Sequence, residues 1–294
     1  MRSRTKPSLA LFLSAPACVL TVVTCAQLPA IGAGALLHPH RRTMSLSPPP
    51  GCENITIAGG VGALRGWRCA AVGERRGTLI YLHGVADNRT SGAGILTRFA
   101  AQGFEAVAYD SRAHGESDGD VCTYGYFEKD DLRRVLDATA TGAVALIGTS
   151  LGAAVALQHA SRDSRVRAVI AVESFSDLRT VATERAPFIF TRRSIERSLA
   201  RAEQQGRFEV DAVSPMRAAR EITVPTLIIH GENDVETPPA HAERIFNALA
   251  GPKRLILVPG AGHNRSLQES VWTEIDAWIR TAMAVNSPVA PQSP

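Results

Sequence analysis

A chain of 294 residues with 45% hydrophobic and 20% charged residues has the balance of a globular protein, long enough to bury a substantial core in one large domain or two small ones. Its net charge of +4 is modest, and its arginines are interleaved with Asp and Glu rather than gathered into a basic stripe with aromatics, which argues against a nucleic-acid partner. No cysteine spacing resembles a zinc site.

Arg2, Arg4 and Lys6 precede a stretch from Pro7 to Leu37 without a charged residue, the pattern of an export or membrane-insertion signal. Two readings stay open. A cleaved signal peptide would use Leu9–Leu20, with small residues for cleavage at Ala15-Pro16-Ala17 or Thr24-Cys25-Ala26. An uncleaved anchor, the favoured reading, would use most of the stretch, enough to span roughly 30 Å of hydrocarbon. Either way, residues 1–40 are expected to place the rest of the chain outside the cytoplasm, tethered to a membrane or exported. Residues 41–50, ending in Pro48-Pro49-Pro50, read as an extended linker.

From residue 51 to 284 strands and helices alternate. Asn54–Ala58 and Leu64–Ala71 form an expected hairpin, and equal counting outward from a turn near Gly59-Gly60 sets Cys52 opposite Cys69, as a cross-strand disulfide or as two free thiols. Buried strands are expected at Thr78–Leu82, Ala106–Tyr109, Ala143–Ile147, Ala168–Val172, Thr226–Ile229 and Arg254–Val258. Helices are expected near Gly94–Ala101, Glu128–Thr139, after Ser150, and at Ser266–Met283, where Val271, Trp272, Ile275 and Ile279 recur at helical spacing. This alternation predicts an α/β architecture: a mostly parallel twisted sheet with helices on both faces. About 174–213 lacks strand signals and reads as a helical cap, with Phe188 and Phe190 as candidate substrate-binding residues and Ile189 between them. The Pro/Ser-rich tail 285–294 is expected to be disordered.

The chemistry gathers just after the strands, where reactive groups of a parallel sheet collect. Gly148-Thr149-Ser150-Leu151-Gly152 joins an apolar strand to a helix, so Ser150 sits on a sharp turn with its hydroxyl presented outward. A serine hydroxyl needs a base, and the base needs an orienting carboxylate. Among the eight histidines, His263 is the candidate base, in the flexible loop Pro259-Gly260-Ala261-Gly262-His263 after the last strand. His83, His114 and His230 each precede a glycine at a strand end and are expected to shape loops. Asp234 is the candidate acid, with Glu232 and Glu236 as near rivals. The N–H groups of Leu151 and Val85 are the expected oxyanion donors. The order serine, acid, histidine is that of the α/β-hydrolase arrangement.

Leu82-His83-Gly84, Asp110-Ser111-Arg112-Ala113-His114-Gly115-Glu116-Ser117, Gly148–Gly152, Asp234 and Gly262-His263 together resemble the α/β-hydrolase superfamily from about Gly51 to Met283. With the N-terminal segment and short cap, the chain is similar to membrane-tethered hydrolases of the BEM46 type and to the serine aminopeptidase S33-like group. The resemblance implies an α/β-hydrolase fold with Ser150 as nucleophile, Asp234 as acid, His263 as base, Val85 and Leu151 as oxyanion donors, and a loop-bracing role for Asp110, Arg112 and His114. Glu236 departs from the family pattern by adding a second carboxylate near the acid. The expected activity is hydrolysis of a small-molecule acyl substrate, an ester first, without metal or organic cofactor. An aminopeptidase is the alternative, which needs a cap carboxylate such as Glu184, Glu196 or Glu203 to hold the substrate amine. A non-catalytic, membrane-tethered binding protein of the same fold is the other.

Overall fold

The computed structural model describes residues 27–42 and 47–284. Eight strands, β1 (Cys52–Gly59), β2 (Gly62–Cys69), β3 (Gly77–Leu82), β4 (Phe104–Tyr109), β5 (Val144–Thr149), β6 (Val166–Val172), β7 (Thr226–Gly231) and β8 (Lys253–Val258), form one sheet in the order β1-β2-β4-β3-β5-β6-β7-β8. The β1–β2 hairpin is antiparallel and joins β4 antiparallel, whereas every pair from β4 to β8 is parallel.

The continuous apolar runs of the central strands have a simple cause: both faces of the sheet are covered. Alternate side chains enter different layers. Ile80, Leu82, Val144 and Leu146 pack with α3 (Glu128–Thr139), α4 (Leu151–Ala160) and α8 (Ala240–Ala248). Leu79, Tyr81, Ala145 and Ile147 pack with α2 (Ala93–Ala100) and α9 (Glu269–Ala284). At the far edge Cys52 lies in register with Cys69, and the two form a disulfide.

Between β6 and β7 the chain leaves the sheet and builds α5 (Leu178–Glu184), capped by the Asp177 carboxylate, and α6 (Arg192–Gly206), capped by the Thr191 hydroxyl; α7 (Pro215–Ala219) then leads back to the sheet. A third apolar cluster gathers Leu178, Val181, Leu199 and Phe208 above the ends of the strands.

Ala33 and Leu37 belong to that same cluster and are fully buried. They come from α1 (residues 27–37), part of the stretch assigned from sequence to an anchor or signal segment. The described part of that stretch lies on the cap. An uncharged run has the same signature whether lipid or protein covers it, so composition did not separate the two. Leu9–Leu20 and both cleavage candidates lie outside the described residues, as does the tail 285–294. No described helix is long and apolar enough to cross a membrane. Residue 41, placed from sequence in the extended linker, is docked: the Arg41 guanidinium donates to the carbonyls of Ser117 at 2.5 Å and Gly119 at 2.7 Å.

Candidate active site

The turn from β5 into α4 forces Ser150 to φ 49° and ψ −111°, a conformation L-residues rarely adopt. It is held by Ser150 N–H donating to Val172 C=O at 2.8 Å and by Ala154 N–H donating to Ser150 C=O at 3.1 Å. A Cβ on Gly148 would collide with the Gly152 carbonyl, and one on Gly152 with the Leu82 carbonyl. Only glycine lets strand, turn and helix approach this closely.

His263 reaches the same point from the loop after β8. Its Nε2 lies 3.1 Å from Ser150 Oγ and its Nδ1 2.7 Å from Asp234 Oδ2. Asp234, in the loop after β7, accepts the N–H groups of Glu236 at 3.0 Å and Thr237 at 2.8 Å on its other oxygen. His230 Nε2 stands 3.2 Å from Asp234 Oδ2 and 2.6 Å from the Thr237 carbonyl. Burial alone would push the Asp234 carboxyl upward, but these hydrogen bonds hold it well below the usual carboxylate range. For His263 the balance runs the other way. Burial opposes the imidazolium, and the hydrogen bond to Asp234 with the charges of Asp234, Glu173 and Glu236 raises its pKa above the ordinary value.

Val85 and Leu151 meet at the same place, both lining space beside Ser150. Among the described residues neither N–H donates to a protein acceptor, as expected of donors kept for a ligand oxygen. Behind Val85, His83 braces the loop. Its Nδ1–H donates to Gly84 C=O at 2.7 Å, and its Nε2 accepts Ser111 N–H at 2.9 Å. Asp110 accepts Arg89 N–H at 2.7 Å and Glu116 N–H at 2.8 Å, tying the loops after β3 and β4 together.

Sequence reasoning missed Glu173, the first residue after β6. It is 1% exposed, has φ 55°, and its carboxylate accepts the N–H groups of Asn264, Arg265 and Ser266 and the Ser266 hydroxyl. It clamps the loop that carries His263 and lies 3.8 Å from His263 Nδ1. A charged residue directly after a wholly apolar strand is the available signal, but Glu173 falls between the expected strand Ala168–Val172 and the cap at about 174–213. Glu173, Asp234 and His263 have possible metal-ligand atoms within 4.8 Å of one another. All three already hold one another or the neighbouring backbone through hydrogen bonds, so the donor set suits a proton relay better than an ion.

Two cavities flank Ser150. One, of about 510 Å³, is walled by α1, α5 and α6 and is mainly apolar; Phe190 lines it. Phe188 does not. It is fully exposed, because the 187–190 turn, closed by Phe190 N–H donating to Pro187 C=O at 2.8 Å, carries it away from the cavity. The sequence assignment of Phe188 to substrate binding is corrected on that ground. The second cavity, of about 530 Å³, is polar and includes Asp87, Glu236, His263 and Asn264. Glu236 is no second acid for His263: it pairs with Arg185 of the cap.

The three cap carboxylates considered for an amine substrate are engaged elsewhere. Glu184 binds His241 Nε2 at 2.7 Å, Glu196 binds Arg179 at 2.8 Å, and Glu203 accepts Val210 N–H at 2.9 Å. None of them lines either cavity.

Comparison with known proteins agrees with this fold. The uncharacterized protein YqkD of Bacillus subtilis is 28% identical over 211 residues, covering 64% of this chain and 65% of its own length. The uncharacterized protein YfhR of Escherichia coli K12 is 27% identical over 194 residues, covering 63% and 62%. The chain thus spans a little under two thirds of the length of these relatives. An esterase of Pyrococcus furiosus has a similar fold, with a TM-score of 0.67 and 20% identity over 84% of this chain and 99% of that one. The model of the alpha/beta hydrolase family matches residues 79–277, from β3 into α9. On that match, with the sheet order and the turn at Ser150 already in hand, the chain belongs to the alpha/beta hydrolase family.

Proposed function

We propose that this chain is a serine hydrolase that cleaves carboxylic esters through an acyl-enzyme on Ser150. The carrying observation is the continuous row Ser150 Oγ, His263 Nε2, His263 Nδ1, Asp234 Oδ2, with contacts of 3.1 and 2.7 Å. Asp234 fixes the tautomer in which Nδ1 bears the proton, leaving Nε2 to accept from the serine. Ser150 Oγ bonds to the carbonyl carbon as its proton passes to Nε2. The N–H groups of Val85 and Leu151 take the developing oxyanion, each worth about 3 kcal/mol in such sites. Collapse breaks the carbon–oxygen bond to the alcohol, which leaves with the proton from Nε2. Water, deprotonated by the same nitrogen, then releases the acid and restores Ser150.

An ester comes first among acyl substrates because its leaving group is good; a thioester or amide would use the same row. The aminopeptidase alternative lacks support from the cap, where Glu184, Glu196 and Glu203 are otherwise engaged. We further propose that the protein works outside the cytoplasm, exported or membrane-tethered as in the BEM46-type subgroup. The positively flanked uncharged stretch and the Cys52–Cys69 disulfide, which suits an oxidising compartment, support that placement.

A fluorophosphonate probe tests the activity. The wild-type chain is expected to be labelled and Ser150→Ala is not, with p-nitrophenyl acetate hydrolysis falling at least about 10⁴-fold in the variant. Absent wild-type labelling and turnover would overturn the enzyme reading in favour of a binding protein of the same fold.

A further inference from the structure

The geometry points to a division of labour between the two cavities: an apolar acyl group enters the one walled by α1, and a polar leaving group occupies the other. This rests on the serine hydrolase reading and extends it to substrate class. His263 lines the polar cavity and not the apolar one, whereas Leu151 lines the apolar cavity and not the polar one; Ser150 and Val85 line both. The leaving group must receive its proton from His263 Nε2, so it lies on the His263 side, among Asp87, Ser91, Glu236 and Asn264. The acyl chain, on the opposite side of the attacked carbon, then points past Leu151 into the apolar cavity. At about 510 Å³ that cavity falls in the usual range for small-molecule sites, roughly 300–1,000 Å³.

Its far wall is α1, which supplies Ile31, Ala35 and Leu36 opposite Leu178, Val181 and Leu199 of the cap. The wall is built, not incidental. Gly32 sits so close to α6 that a Cβ there would collide with Ser198. The C-terminal carbonyls of α1 are also occupied: Leu36 C=O accepts the Tyr124 hydroxyl at 3.1 Å and Leu37 C=O accepts Cys122 N–H at 2.8 Å. The segment before the hydrolase domain is therefore a determinant of acyl specificity. Each methylene buried there adds roughly fourfold to the preference over a shorter ester.

The full-length chain and two variants of α1 test this. Against p-nitrophenyl decanoate and acetate, the decanoate-to-acetate ratio of kcat/KM is expected to fall at least tenfold in Ala35→Trp, which fills the cavity. It is expected to rise for chains longer than decanoyl in Ile31→Ala, which enlarges it. Binding of decanoic acid, followed by calorimetry, is expected to weaken at least tenfold in Ala35→Trp. Unchanged ratios and unchanged decanoate affinity in both variants, with circular dichroism matching wild type, would overturn the assignment. Fluorophosphonate labelling keeps the two claims apart. If wild type is not labelled, the serine reading fails, and decanoate affinity alone decides whether α1 walls an acyl site.

Discussion

On the serine hydrolase reading His263 has to be neutral to accept the proton of Ser150, and its surroundings favour the charged form. Its pKa lies above the ordinary imidazole value of 6.5, because the hydrogen bond and charge of Asp234, with Glu173 and Glu236 behind, outweigh burial. Activity is therefore expected to be present at high pH and lost as pH falls through that raised value. The acid limb of kcat/KM should lie above pH 6.5, with about a tenfold loss per unit below it. Glu173 contributes to that limb in a way a passive brace would not. Replacing it by Gln removes one of the charges that raise the His263 pKa, so the limb shifts to lower pH. The same change weakens the clamp on residues 264–266, and kcat is expected to fall roughly ten- to hundredfold through misplacement of the imidazole. Urea denaturation should register a loss of about 1–3 kcal/mol from the disturbed buried carboxylate. An unmoved acid limb would show that Glu173 holds the loop and nothing more.

Among the elements, those bearing chemistry were the most legible. A parallel sheet delivers its loops to one edge, so a serine after one apolar strand, an aspartate after another and a histidine after the last were expected to meet. Glu173 obeys the same rule, but only its strand was recognised. The cap helices could be placed by the gap in strand signals, whereas the directions of Phe188 and Phe190 depend on a turn closed by one backbone hydrogen bond, invisible to periodicity. The roles of Glu184 and Glu236 depend on pairing with His241 and Arg185 across long sequence separations, which a local reading does not reach. The β1–β2 hairpin was legible because equal counting from its turn sets the register, and Cys52 does face Cys69. That bond closes a loop with a sequence separation of 17, for which chain entropy gives about 3 kcal/mol of stabilisation. Urea denaturation of the native chain and of Cys52→Ser should differ by up to that amount. Intact mass before and after reduction should differ by two hydrogens for the pair; no difference would show two free thiols.

The molecule couples three layers: a covered sheet, a cap, and a helix at residues 27–37 whose uncharged sequence resembles a lipid-embedded segment. The sheet order β1-β2-β4-β3-β5-β6-β7-β8 carries a temporal consequence for a chain made from its N-terminus. Ser150 emerges directly after β5, but His263, its candidate base, arrives only after β8, the outermost strand of the opposite edge. Chains truncated before residue 259 should therefore resist fluorophosphonate, and chains that run through α9 should, once released, react. On the serine hydrolase reading, a growing chain thus stays inert until the segment after β8 has followed Ser150, so no copy lacking that segment spends substrate or is modified by a passing electrophile.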